Sequence, residues 1–338
     1  MPRCALRRLC LPVAATVGLA GCGGLARLGR GPQSALAPAG RDAERIADLF
    51  AVMTVGAALV WIAVVGLTLY ASRRRTQVHP ERHANALILG GGVVFPVIVL
   101  TALLVYGLAP LPDVLALPPP GRLTIAVTGE QWWWRVRYQP PGGPAFELAN
   151  EIRLPAGERI ELQLASADVI HSFWVPSLAG KLDMVPGRLN RIALEPTRTG
   201  VFRGQCAEYC GTSHAFMSFY VVVMEPDAFA QWLRDEQGDA VPPADPLAAS
   251  GQTAFLSHGC GACHTVRGTP AAGVVGPDLT HVGRRVSLGA GTLRNTPGDL
   301  QRWIEATDWV KPGVHMPAYN MLDGGDLVPL AAYLSGLR

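Results

Sequence analysis

Lysine is nearly absent: of 29 basic residues, only Lys181 and Lys311 are lysines. Charge of either sign is scarce, with 16% of residues charged against 49% hydrophobic, and the net charge is +3. So weak a positive balance is too small to imply nucleic acid, and none is expected as a partner, while the apolar excess points to segments buried in a membrane. Cysteine is sparse. Cys4 and Cys10 lie in the first segment, Cys22 follows Leu19-Ala20-Gly21, and Cys206/Cys210 and Cys260/Cys263 form two later pairs. Each has a chemical reading of its own, so none is left over for a disulfide framework. The two long apolar runs, Leu49 to Tyr70 and Ala84 to Leu108, lack histidine or any other strong metal ligand. A membrane-embedded haem or copper centre needs such ligands, so these two runs hold no metal centre of their own. No internal repeat is present.

What is there falls into successive segments. Residues 1–22 carry Arg3, Arg7 and Arg8, then the apolar run Leu11 to Ala20, then small residues, which is a secretory signal pattern. Leu-Ala-Gly-Cys resembles the lipobox of bacterial lipoproteins and implies a lipid on Cys22; ordinary cleavage nearby is the alternative. A polar segment, 23–48, leads to helices expected at about 49–70 and 84–108, each long enough to cross ~30 Å of hydrocarbon. Pro96 is expected to kink the second. Arg73, Arg74, Arg75, Arg82 and His83 lie between them. By the positive-inside rule that cluster is cytoplasmic and both flanking segments are external.

After a proline-rich exit (110–120), short alternating runs at 123–127, 160–164, 191–194 and 219–223 predict an all-β sandwich or barrel over 110–236. Residues 237–250, rich in Gly, Asp, Ala and Pro, read as a short stiff linker. Residues 251–338 form a further domain.

The most informative stretch runs from Cys206 through Glu208, Cys210 and His214 to Met217, with His171 upstream. Thiolate and thioether suit reduced copper, and imidazole tolerates both oxidation states. Two thiolates four residues apart are able to bridge two coppers, with one nitrogen and one weak ligand closing each metal. A charge shared over both ions moves every bond little, so the pattern reads as an electron relay. A structural disulfide gives no reason for His214 and Met217 to follow, and thiol pairs of copper-delivery proteins lack them. Helical spacing would put the four on one face, but Gly204, Gly211 and the β-rich flanks favour strand, loop, strand.

C-x-E-x-C-x3-H-x2-M, with His171-Ser-Phe-Trp-Val-Pro-Ser-Leu upstream, resembles the dinuclear copper (CuA) domain of cytochrome c oxidase subunit II. The resemblance implies His171, Cys206, Cys210, His214, Met217 and the Glu208 carbonyl as copper ligands. It also implies a magnesium ion held by the Glu208 carboxylate at the face towards subunit I. Lys181 to Asn190, with Asp183, resembles a stretch facing that subunit. Gly129-Glu-Gln-Trp132-Trp133-Trp134 resembles the family's docking patch: Trp132 takes the role of receiving the electron on an exposed surface, and at least one neighbour packs in the core. Glu130 stands where many relatives have histidine.

Cys260-Gly-Ala-Cys263-His264 is the attachment signature of c-type haem, with two thioethers and a proximal imidazole. Zinc would want a second ligand pair, and no further cysteine follows. Met316 and Met321 are the candidates for the sixth ligand. Lys311-Pro-Gly-Val-His-Met316-Pro resembles the sixth-ligand loop of small class I cytochromes c and selects Met316. Asp326 to Leu337 is the expected closing helix. His258, His281 and His315 have no partner motif.

Taken together, the chain is similar to subunit II of a caa-type haem-copper cytochrome c oxidase. The fold expected is a two-helix transmembrane hairpin, an all-β cupredoxin-like CuA domain and an all-α class I cytochrome c domain. The resemblance implies electrons received from cytochrome c at haem c, relayed through CuA, and delivered to haem a of subunit I, with subunit III in the complex. It places the protein in the bacterial inner membrane with both metal domains periplasmic. Two alternatives stand beside it. One is an electron-accepting subunit of another CuA-containing terminal reductase; the other is a membrane-tethered copper chaperone, which has no use for a covalent cytochrome.

Overall fold

The computed structural model describes residues 31–73 and 80–338. The expected signal segment 1–22, the expected lipidation site at Cys22, and Arg74 and Arg75 of the basic cluster lie outside the described residues.

Helix α1 (Arg41–Arg73) and a second helical run from Glu81 to Leu115 are both long and apolar enough to cross a membrane. The second run comprises α2 (Glu81–Leu89), a π-helical turn (Gly90–Val94), α3 (Phe95–Leu108) and the short α4 (Leu111–Leu115). The effect of Pro96 is taken up in that π-turn just ahead of it. Proline has no N–H to give and its ring crowds the carbonyl one turn back, and a wider turn relieves both. Both helices extend past the expected limits of 49–70 and 84–108, because polar ends such as Arg41 and Glu81 continue the backbone ladder beyond the apolar stretch. Arg45 Nη2 and Asp113 Oδ2, 2.9 Å apart, tie the two ends of the hairpin.

From Thr124 the chain forms strands β1 (Thr124–Glu130), β2 (Trp133–Gln139), β3 (Phe146–Ala149), β4 (Glu151–Pro155) and β5 (Ile160–Ser166). β6 (His171–Trp174), β7 (Leu182–Met184), β8 (Asn190–Leu194), β9 (Gly200–Cys206) and β10 (Ser218–Met224) follow. They pair into two five-stranded sheets, β3-β2-β1-β5-β8 and β4-β10-β9-β6-β7. Alternation along each strand sends Ile125 and Val127, Trp134 and Val136, Leu162 and Leu164, and Val221 and Val223 into one shared core. Trp134 packs there, edge-on to Phe173 at 6.1 Å, and Trp132 joins the same buried cluster. Leu162 is wholly buried between the sheets. Leu162→Ala is therefore expected to destabilise this domain by about 2–5 kcal/mol, read as a lowered calorimetric transition.

Helix α5 (Pro226–Glu236) closes the sandwich with Phe229 and Trp232 in its core. The extended connection ends at Asp245, not at residue 250. Asp245 accepts hydrogen bonds from the Leu247 and Ala248 amides, and Pro246 supplies a first helical residue that needs no donor. Residues 246–250 are thus the start of α6 (Pro246–Ser257). A hairpin of β11 (Ser287–Leu288) and β12 (Leu293–Arg294), then α7 (Pro297–Glu305), α8 (Thr307–Val310) and α9 (Gly324–Gly336), complete the C-terminal domain. Its core joins Phe255 of α6 to Leu300 and Ile304 of α7 and to Leu330, Tyr333 and Leu334 of α9.

Candidate metal centres

Strand β9 ends on Cys206, β10 begins at Ser218, and between them the chain makes a loop with a single 3-10 turn, His214–Phe216. The Cys206 amide donates to Met217 O at 2.9 Å, closing the loop at its base, and the Ala207 amide donates to Ser172 O at 2.9 Å, tying it to β6. Strand β6 brings His171 to the loop in full burial. All the sulfurs and imidazoles singled out for copper meet here.

Cys206 Sγ and Cys210 Sγ are 3.8 Å apart. His171 Nδ1 faces Cys206 Sγ at 3.8 Å, while His214 Nδ1 faces Cys210 Sγ at 3.4 Å. Met217 Sδ lies 3.7 Å from Cys210 Sγ, and the Glu208 carbonyl oxygen 3.1 Å from Cys206 Sγ. His171, Cys206 and Cys210 offer atoms all within 4.8 Å of one another. Soft donors with imidazole at this density fit copper. Hydrogen bonding from Cys210 holds the Cys206 thiol well below its usual range despite burial, and Cys210 is pushed correspondingly up. One thiol thus ionises easily before any metal arrives, which is what a thiolate ligand requires.

Asp168 was not singled out by motif. Its Oδ1 lies 2.7 Å from His171 Nε2, so that nitrogen donates and Nδ1 keeps its lone pair towards the sulfurs. Asp168→Asn is expected to weaken copper retention by about 10–100-fold in a chelator competition, with the fold unchanged.

Trp132 departs from expectation. It is 7% exposed, not part of an open patch. Its Nε1–H donates to Cys210 O at 3.0 Å, and Gln131 Nε2 donates to the same oxygen at 2.7 Å. Trp133 remains half-buried under the Arg135 guanidinium, 4.7 Å from its ring, and Arg135 pairs with Glu130 at 2.6 Å. Glu208 keeps its carboxylate half exposed, 3.9 Å from Lys181 Nζ, which also approaches Asp183 at 3.4 Å.

In the C-terminal domain, α6 runs into a 3-10 turn, Cys260–Ala262, that delivers Cys260, Cys263 and His264. His264 Nδ1 donates to Pro277 O at 2.8 Å, which leaves Nε2 as the free ligand nitrogen. Burial pulls the His264 pKa down and keeps it neutral, as an iron ligand must be. Gly276 lies flat against this ring: a Cβ there would stand 2.5 Å from its Cε1. Met316 packs against the domain core and Thr307 Oγ1 donates to its carbonyl at 3.1 Å, whereas Met321 is 73% exposed. Two thiols, a tautomer-fixed imidazole and an inward methionine fit a covalently held haem. His258 pairs with Asp326 at 2.8 Å and His281 Nε2 lies 3.2 Å from Gly238 O, both in packing roles.

Residues 141–224 match the family described as cytochrome c oxidase subunit II, periplasmic domain, and residues 248–338 match cytochrome c. The chain is 36% identical to cytochrome c oxidase subunit 2 of Alkalihalophilus pseudofirmus over 334 residues, covering 96% of this chain and 94% of the relative. It is 30% identical to the Bacillus subtilis protein of the same name, over 64% of this chain and 62% of that one. Among solved structures, the periplasmic domain of subunit II of cytochrome oxidase of Bradyrhizobium japonicum is 37% identical, over 35% of this chain and 96% of that chain, with a TM-score of 0.33.

Proposed function

The chain belongs to the cytochrome c oxidase subunit II family, its copper-type domain followed by a cytochrome c domain, and from that premise we propose that it is the electron-accepting subunit of a proton-pumping cytochrome c oxidase. It receives electrons from a cytochrome c at its own haem c, relays them through a dinuclear copper centre, and delivers them to haem a of subunit I, where oxygen is reduced. Subunits I and III are its partners in the bacterial inner membrane, and both metal domains are periplasmic. When bound, the haem and the copper pair supply one-electron redox chemistry.

The observation that supports this reading best is the pairing of each sulfur with its own imidazole. Two thiols 3.8 Å apart, with His171 facing one and His214 facing the other, form an elongated donor set suited to two ions. Cys206, Cys210, His171 and His214 would hold the copper pair, with Met217 and the Glu208 carbonyl as weaker donors, and Cys260 and Cys263 would anchor the porphyrin whose iron His264 and Met316 would hold. Trp132, joined to Cys210 through its indole N–H, is where the electron reaches the copper loop. The half-exposed Glu208 carboxylate is free to share a magnesium ion with subunit I.

Rapid mixing of the oxidised oxidase with reduced cytochrome c tests the order. The haem band should reduce first and the copper absorption follow. Copper reduced while the haem stays oxidised would contradict the relay.

A further inference from the structure

Lys311 has no task in the chemistry just described, yet it is among the most deeply buried charged residues of the described chain, 1% exposed. Its Nζ donates to Trp132 O at 2.5 Å and to Gly289 O at 3.1 Å. One ammonium therefore joins the copper domain, through Trp132, to the cytochrome domain's own hairpin at Gly289. The next residues continue the contact. Ser213, buried in the copper loop, donates its Oγ–H to Pro312 O at 2.5 Å. Gly313 has φ +81° and lies so close to Trp132 that a Cβ there would stand 2.9 Å from the ring. Three residues later the same loop supplies Met316.

The contact is anchored elsewhere as well. The Val286 amide donates to Glu151 Oε2 at 2.7 Å, and Arg153 Nη2 to Arg284 O at 3.0 Å. Those bonds hold the two domains together; the Lys311 loop sets what lies against Trp132. Burying an ammonium is costly unless acceptors meet it, and here two backbone carbonyls do. A methionine or leucine would fill the same space without that cost, so packing alone does not account for a lysine here.

We infer that Lys311 is a positioning residue that clamps the Met316 loop of the cytochrome domain onto Trp132, fixing an internal contact for electron delivery and closing Trp132 to outside donors. The inference rests on the proposed function, since it gives the covered tryptophan its meaning. Each transfer served by the contact oxidises the haem by one electron and reduces the copper pair by one, no bond being made or broken; reduced cytochrome c is the ultimate donor. It follows that an external donor meets this chain at the cytochrome domain, not at the tryptophan.

The test uses the full-length protein assembled in its oxidase, as wild type and as Lys311→Met, which keeps the stem and removes the donor. Two readings are taken: the rate of haem-to-copper electron redistribution after flash photoreduction, and hydroxyl-radical labelling of Trp132 against Trp134. Trp134 lies in the sandwich core and reports unfolding. The expected result is intact haem and copper spectra, haem-to-copper transfer slowed severalfold, and Trp132 labelling raised severalfold with Trp134 unchanged. Wild-type transfer in the variant, or Trp132 as shielded as before, would overturn the inference. Should Lys311→Met fail to load its metals, Gly313→Ala tests the same contact from the other side, with the same two readings. Failure of the proposed function is seen separately, as a wild-type protein lacking haem or copper.

Discussion

Replacing Cys206 with serine is expected to abolish the copper pair and to cut oxidase turnover by ~100-fold or more. Loss of a partner that merely orients a ligand typically costs 10–100-fold, so loss of a bridging ligand sets a higher floor. The geometry gives the reason. Cys206 Sγ is the atom shared by His171 Nδ1 at 3.8 Å, the Glu208 carbonyl at 3.1 Å and Cys210 Sγ at 3.8 Å. A serine oxygen is hard and ionises reluctantly, and neither property suits reduced copper. The fold should survive, because the Cys206 contacts that shape the loop are made by its backbone amide to Met217 O. Copper content per chain and the haem spectrum of the same sample check the outcome: copper lost, haem retained.

Met316→His is expected to leave the haem covalently attached while lowering its potential by an amount on the order of 0.2 V, within the ~0.8 V over which axial ligands tune haem. Methionine ligation raises the potential and a second histidine does not. A haem so lowered no longer accepts electrons readily from another cytochrome, so steady-state oxidation of cytochrome c should fall steeply. Met321→Leu is the matched control. Its side chain is 73% exposed and should leave the potential unmoved. A potentiometric titration of both variants separates the two methionines.

The candidate ligands were legible in the sequence because coordination demands particular atoms at short spacing. Cys206 to Met217 and Cys260 to His264 each lie in one continuous stretch, and His171 is the one distant member. The alternating runs likewise marked β1, β5, β8 and β10. Strand β2 was hidden because three successive tryptophans mask its alternation, although Trp134, Val136 and Tyr138 point inwards and Arg135 and Arg137 outwards. The helical start at Pro246 was read as linker because its composition is that of a linker; the Asp245 cap decides it. Asp168 and Lys311 were not legible as functional. An aspartate in a loop and a lysine before a proline have no signature of their own, and each acquires its role from a partner far along the chain or across a turn. Trp132 shows the same dependence. Its motif is that of a docking residue, but whether it faces solvent is decided by a loop 179 residues away.

The central claim, that two neighbouring thiolates hold a pair of coppers sharing one charge, is tested most directly by electron spin resonance of the purified, haem-loaded protein. The predicted result is a mixed-valence signal split by two equivalent copper nuclei. A signal from a single type 1 copper, or a silent sample in which Cys206 and Cys210 are joined as a disulfide, would contradict it.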